Sequence, residues 1–415
     1  MVSWALLVVV VAGLLLAVNV LRPVRAPGAL AIPSFFAGWL VGELAIHAVV
    51  GQLVITGLLV ALGGLGDPRG VVGVALSVVA VVLLLLGHRR ALQSQQVVAR
   101  ALADLPGAPG VSLRSVQSRW HVEFHRYGDR ALRLDVHRPH GATGACPVLV
   151  YVHGGGWVIG HRERQGLPLM KHMARRGWVC VSVDYRLSPR ATFPDHLVDV
   201  KRALAWVRAH ADELGADTSF LAIAGNSAGG HLAALAALTA NDPRYQPCFE
   251  EEDTHVDACV GFYGVYDFLD RHGHWPHPGM KRLLEKHVMK APRDSAREAY
   301  SDASPVDRVH ADAPPFLLVH GTHDNLSPVD ESRRLFAALR AGSRSPAFYV
   351  EVPGAQHAFE VFSSVRTTHV VAGTARFLEW ARARAATLVT APRTKSVDTP
   401  ARSSAPPSAR RSARA

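Results

Sequence analysis

The chain has 415 residues, 49% of them apolar, a mean hydropathy of +0.12 and a formal net charge of +11. That length buries a core with ease, and four cysteines (Cys146, Cys180, Cys248, Cys259), none in a C-x-x-C pair, give no zinc spacing and demand no oxidising compartment. Neither property is evenly spread: residues 1–87 hold most of the apolar excess, and in the last 25 residues Arg393, Lys395, Arg402, Arg410, Arg411 and Arg414 oppose only Asp398.

Ser3–Leu21 and Gly70–Gly87 are uncharged apolar runs of the length that spans hydrocarbon. Ala31–Leu65 lies between them, interrupted by Glu43, His47 and Gln52, and reads as one tilted span or a pair of short ones. Glu43 and His47, four apart on one helical face, are expected to pair. Residues 1–87 are thus expected to form a transmembrane helical region of about three spans. Residues 88–114 follow as a helical connector and candidate lid part.

From 115 the pattern changes. WHVEFHRYG and LRLDVHRPH alternate as two strands meeting at Gly128-Asp129. PVLVYVHGG, WVCVSVDYR, FLAIAGNS, ACVGFYGVYD, PFLLVHGTHD and AFYVEVPGA are apolar, β-rich runs separated by helical stretches, the signature of a mostly parallel sheet covered on both faces. Residues 269–314 are too long for a simple connection and read as an inserted lid. Residues 387–415 read as a disordered basic tail.

Two motifs carry the chemistry. In GNSAG (225–229), Ser227 sits where a buried strand becomes a small-residue helix, on a turn tight enough to demand small neighbours. In HGGGW (153–157), the glycines Gly154, Gly155 and Gly156 let successive N–H groups approach a substrate oxygen, while His153 braces the loop. Together they are the two halves of an acyl-transfer site. A serine nucleophile needs a base and an orienting acid, sought at the carboxyl ends of later strands. Asp324 and His357 stand at such ends; Asp184, Asp195, Asp199, Glu360 and above all Asp267 are rival acids, and His320 and His323 rival bases.

HGGGW, DYRLSP (184–189), FPDHLVDVKRALAWV (193–207), GNSAGGHLA (225–233), HGTHDNLSP (320–328) and GAQHAF (354–359), in that order, resemble the hormone-sensitive-lipase-like family of α/β-hydrolases. The resemblance covers roughly 110–385 and implies an α/β fold: the α/β-hydrolase sheet with helices on both faces and a lid, here preceded by the membrane helices. It implies carboxylic-ester hydrolysis with Ser227 as nucleophile, His357 as general base and Asp324 orienting it. The oxyanion hole would be the Gly154–Gly156 loop with the Ala228 N–H, Asp184 and Arg186 would be supports, and the connector and the 269–314 insertion would form the lid. Asn226 stands where the family usually carries Asp, a change expected to be tolerated. The membrane region and basic tail lie outside the family pattern, but the whole resembles membrane-anchored actinobacterial carboxylesterases.

Trp157, Tyr263, Trp275 and Met280 are candidates for the substrate pocket, a small-molecule or lipid ester is the expected substrate, and short to medium acyl chains are the expected preference. An amidase or acyltransferase using the same triad is the alternative, with a non-catalytic binding protein further behind. No nucleotide, nicotinamide or flavin fingerprint occurs, and His272, His274 and His277 lack the spacing of a metal site, so no cofactor or metal is expected. The basic tail suits anionic lipid rather than nucleic acid. Arg22 and Arg25 after the first run and His88-Arg89-Arg90 after the third place those ends inside, giving a multi-pass cell-membrane protein with its hydrolase domain on the cytoplasmic face if the middle run crosses once, whereas two crossings there would face the enzyme outward.

Overall fold

The computed structural model describes residues 1–25, 28–142 and 144–390. The apolar N-terminal runs fold as α1 (Val2–Leu21), α2 (Gly28–Glu43), α3 (Ala45–Leu59) and α4 (Pro68–Leu92), followed by α5 (Ser94–Ala101). Three helices, Val2–Leu21, Ala45–Gly64 and Pro68–Ala101, are long and apolar enough to cross a membrane, whereas Ala29–Glu43 is shorter. Small residues let α1 and α4 approach closely: a Cβ on Gly87 would stand 2.9 Å from Val20 Cγ1. Polar groups tie α3 to α4, with Ser77 Oγ 2.8 Å from Thr56 Oγ1 and 3.1 Å from Gln52 Nε2.

The middle run, Ala31–Leu65, is therefore not one helix. It breaks at Leu44, between the shorter α2 and a helix long and apolar enough to cross a membrane. The expected Glu43–His47 pair is absent as well. Glu43 turns to the C-terminal domain and meets Arg366 Nη1 at 2.8 Å and Ser364 Oγ at 2.6 Å, while His47 is exposed.

Eight strands make one sheet: β1 (Val116–Tyr127), β2 (Arg130–Pro139), β3 (Cys146–Val152), β4 (Val179–Val183), β5 (Ala216–Asn226), β6 (Ala258–Phe262), β7 (Phe316–Gly321) and β8 (Ala347–Val352). Their order is β1-β2-β4-β3-β5-β6-β7-β8; β3 to β8 are parallel, and the β1–β2 hairpin joins antiparallel through β2 to β4. Every residue of β3, β4, β6 and β7 is buried, which is why these strands read as continuous apolar runs rather than alternating ones.

Helices cover both faces. α6 (Leu167–Arg175) shares a core with α5, and α7 (Asp195–Ala209), followed by the one-turn α8 (Ala211–Leu214), lies on the other side with α9 (Ala228–Leu238). The 269–314 insertion holds the short α10 (Gly279–Leu283) and α11 (Arg297–Asp302). α12 (Asp330–Gly342) joins the α7–α9 side, and α13 (Val365–Thr390) the α5–α6 side. The connector does not act as a lid: Val98 and Leu102 of α5 are buried against Val350 of β8 and Val370 of α13, beside the outer strands. α13 runs four residues into the predicted tail; the rest of that tail, 391–415, with its proposed lipid contact, lies outside the described residues.

Candidate active site

β5 ends at Asn226 and α9 begins at Ala228, so Ser227 is the whole turn between them, with φ 53° and ψ −120°. A side chain rarely holds that conformation, which costs on the order of 1–3 kcal/mol and persists only when the surroundings enforce it. Here the elbow is pressed against the sheet: a Cβ on Gly229 would lie 2.1 Å from the Val152 carbonyl oxygen. The result is a hydroxyl presented at the carboxyl end of the central strand.

The structure brings all three sequence-predicted polar residues together there. Ser227 Oγ is 2.8 Å from His357 Nε2, and His357 Nδ1 is 2.6 Å from Asp324 Oδ2. Asp324 is held in turn, its Oδ1 accepting from the N–H groups of Leu326 (2.9 Å) and Ser327 (2.8 Å). Burial works to raise the Asp324 pKa, but His357, His320 and their hydrogen bonds outweigh it and hold the carboxyl well below the usual carboxylate range. The rival acid Asp267 is fully buried and engaged by Arg271 and Arg334. His320 lies on the far side of Asp324, with Nε2 at 3.2 Å and Nδ1 bound to Ser332 Oγ at 2.8 Å.

The glycine loop divides its donors. The Gly154 N–H is taken, donating to Asn226 Oδ1 (2.7 Å) and Gln165 Oε1 (2.9 Å), so it is withdrawn from the expected set. Gly155 and Gly156, with φ 128° and 59°, give their N–H groups to nothing else among the described residues. Ala228 opens α9, where a helix leaves its N–H without an internal partner. His153 braces the loop, its Nδ1 2.8 Å from the Gly154 carbonyl and its ring stacked on Tyr185. Asp184 pairs with Arg162 and Arg186 with Asp199, in supporting positions.

Above Ser227 and His357 opens a cavity of 620 Å³. Of the four pocket candidates only Met280 lines it, together with Leu283 of the same insertion and Ile159 after the glycine loop. Trp157 is instead buried under that loop, its indole donating to His231 Nδ1 at 3.2 Å. Tyr263 lies beneath His357, ring centroids 4.5 Å apart, with its hydroxyl on Glu360. Trp275 donates to Glu331 at 2.9 Å away from the cavity. A further wall comes from α2: Ile32, Phe35, Phe36 and Trp39. Trp39 Nε1 donates to the Ala358 carbonyl at 2.8 Å, next to His357, so α2 roofs the site in the place expected of the connector. Sequence reading missed these four, although Pro33 and three aromatics within a run ending in Glu43 suit an interface better than a span.

Asn226 does more than shape a turn. Besides holding Gly154, its amide nitrogen donates to Gln165 (2.9 Å), Tyr263 (3.1 Å) and Glu360 (3.1 Å). Glu360 is fully enclosed, and burial pushes its carboxyl pKa up against the lowering effect of the Tyr263 hydroxyl. An amide beside it avoids a second buried carboxylate.

Residues 134–339 match the family model described as BD-FAE. A protein of Mycobacterium tuberculosis described as "Probable carboxylic ester hydrolase LipM" is 41% identical over 390 residues, covering 87% of this chain and 89% of its own length. The chain belongs to the hormone-sensitive-lipase-like family and is a carboxylic ester hydrolase. A match to 87% of 415 residues is longer than 88–415, so the kinship with this hormone-sensitive-lipase-like relative enters the N-terminal helices. "Esterase LipC" of the same organism is 47% identical over 272 residues, 64% of this chain and 66% of that protein. Among solved structures, the Pyrobaculum calidifontis esterase is 26% identical with a TM-score of 0.52, covering 70% of this chain and 91% of its own. Thermogutta terrifontis esterase 2 phosphonylated by sarin is 26% identical with a TM-score of 0.53, covering 66% and 94%. These likenesses agree with the α/β-hydrolase sheet of the hormone-sensitive-lipase-like family.

Proposed function

We propose that this ester hydrolase is a membrane-anchored serine esterase whose nucleophile is Ser227. The carrying observation is the continuous line Ser227 Oγ–His357 Nε2, His357 Nδ1–Asp324 at the floor of an apolar cavity. His357 takes the hydroxyl proton as Ser227 Oγ bonds to the ester carbonyl carbon. The N–H groups of Gly155, Gly156 and Ala228 receive the oxyanion, one such donor being worth about 10²–10³ in kcat. Collapse expels the alcohol, which leaves with the proton from His357, and water then repeats the sequence on the acyl-enzyme. Asp324 fixes the imidazole tautomer and balances its charge throughout.

Anchoring rests on three span-length helices whose two ends differ. At one end Trp4 stacks under Arg69, their separation 4.5 Å; at the other Arg90 reaches the Leu21 carbonyl beside the hydrolase domain. Arg22, Arg25, Arg89 and Arg90 gather at that second end, which the positive-inside rule assigns to the cytoplasm. Ester turnover by the full-length protein in detergent tests the nucleophile. Ser227→Ala is expected to lower kcat by about 10⁴–10⁶ with the fold retained, and undiminished turnover in that variant overturns the reading.

A further inference from the structure

Resting on the serine-esterase reading above, we infer that the ester reaches Ser227 from within the bilayer, through a mouth between α2 and the loop after the glycines, and that the substrate is a lipid-phase ester.

The position of α2 argues for this. It begins beyond the end of α1 and finishes where α3 starts; Ser34 ties it to Asn19 of α1 and to the Val24 N–H, and its other polar ties reach the carboxyl end of the hydrolase sheet. Trp39 bonds Ala358, Glu43 pairs with Arg366, and Asn325 Nδ2 donates to the Ala31 carbonyl at 3.0 Å. α2 therefore lies where the spans meet the enzyme, at the depth of the membrane interface. Phe35 turns into the cavity, its ring 6.4 Å from that of His357, while Ile32, Phe36 and Leu40 form an i, i+4, i+8 row on the outside. Phe36 is 56% exposed and also lines the cavity, so it stands at the boundary between the two.

The facing rim has the same character. Among the described residues from 115 to 386, the exposed large hydrophobics are Trp120 and Ile159. Ile159, at 68% exposure, is the more open of the two, and it lines this cavity. Trp120 apart, the described part of that domain leaves no other large apolar side chain exposed; at this mouth it presents Ile159 opposite the exposed row of α2. The spans carry exposed apolar side chains of their own (Val8, Leu15, Val54, Leu58), the kind of surface that hydrocarbon covers. A hydrocarbon chain entering past Ile159 and Phe36 meets Phe35, Met280, Leu283 and Leu326 before Ser227, in a mostly apolar lining that suits a long chain better than a short soluble ester. The short- to medium-chain preference expected from the sequence had no knowledge of this roof.

Full-length protein reconstituted in phosphatidylcholine vesicles tests the route with two probes, a short soluble p-nitrophenyl ester and a long-chain fluorogenic diacylglycerol ester that does not exchange between vesicles. The long-chain ester should be hydrolysed when it shares the enzyme's bilayer and at least tenfold more slowly when it resides in separate vesicles. Ile159→Asp, at an exposed site that tolerates a charge, should lower the ratio of long-chain to soluble-ester turnover at least tenfold. Equal long-chain rates in shared and separate vesicles, or an unchanged ratio in Ile159→Asp, overturns bilayer access while leaving the serine chemistry standing. Failure of the soluble ester to turn over at all overturns the esterase reading instead, and this inference with it.

Discussion

Asp324 and Asn226 show how single residues set the site. The Asp324 carboxyl, held low by His357 and His320 despite its burial, stays ionised wherever the enzyme works. Its stabilising contribution is accordingly present above the unfolded carboxyl value of about 3.9 and is lost as pH falls through the lower folded value. The acid limb of log(kcat/KM) should then carry no added ionisation from Asp324 and have a slope no steeper than 1; a slope of 2 in a pH–rate profile contradicts this. Asn226→Asp sets a carboxylate against Glu360 and removes the amide donor whose two protons serve Gln165, Tyr263 and Glu360. It should destabilise the protein by about 1–3 kcal/mol and slow ester turnover, and Glu360→Gln in the same chain should restore most of both in thermal unfolding and rate measurements. That Ser227, Asp324 and His357 would come together was legible because strand-end motifs fix backbone position and chain order. Trp157, Tyr263 and Trp275 were misread because an aromatic near a motif gives no sign of which side of the loop it packs on. Asn226 was undervalued because its partners Gln165, Tyr263 and Glu360 are remote in sequence.

Among the elements, α2 departs furthest from its reading. A helix facing lipid and a helix facing an apolar pocket have the same composition, so hydropathy alone merged α2 with α3. The sheet suffered no such ambiguity, since turn residues bracket each strand and the runs are long enough to separate from the helices. What holds α2 in place is a polar contact in a dry setting: Glu43 and Arg366, each with a side chain 1% exposed, linked to each other and through Arg366 to the Gly42 and Pro353 carbonyls. Removing one partner leaves the other charge buried and alone, a loss of about 3–5 kcal/mol, whereas replacing both with apolar side chains costs much less. A double-mutant cycle on Arg366→Met and Glu43→Leu, read by thermal unfolding in detergent, should give a large coupling; additive effects would detach α2 from the catalytic domain.

For the whole molecule, the N-terminal helices and the hydrolase domain are joined at the candidate site, since α2 supplies a wall of the cavity above Ser227. Sequence reading treated them as anchor and cargo because their mutual contacts, such as Trp39 with Ala358, span more than 300 residues. The three-span arrangement predicts that alkaline phosphatase fused at the C-terminus stays inactive inside a bacterial host, and high activity of that fusion refutes it.

The central claim, that Ser227 under α2 is the acylated residue, is met most directly by a fluorophosphonate probe applied to the full-length protein, with the modified peptide identified by mass spectrometry. The account predicts a single phosphonyl adduct on Ser227, absent in Ser227→Ala and strongly reduced in His357→Ala. An adduct on Ser188 or Ser327, or labelling that survives in Ser227→Ala, would contradict it.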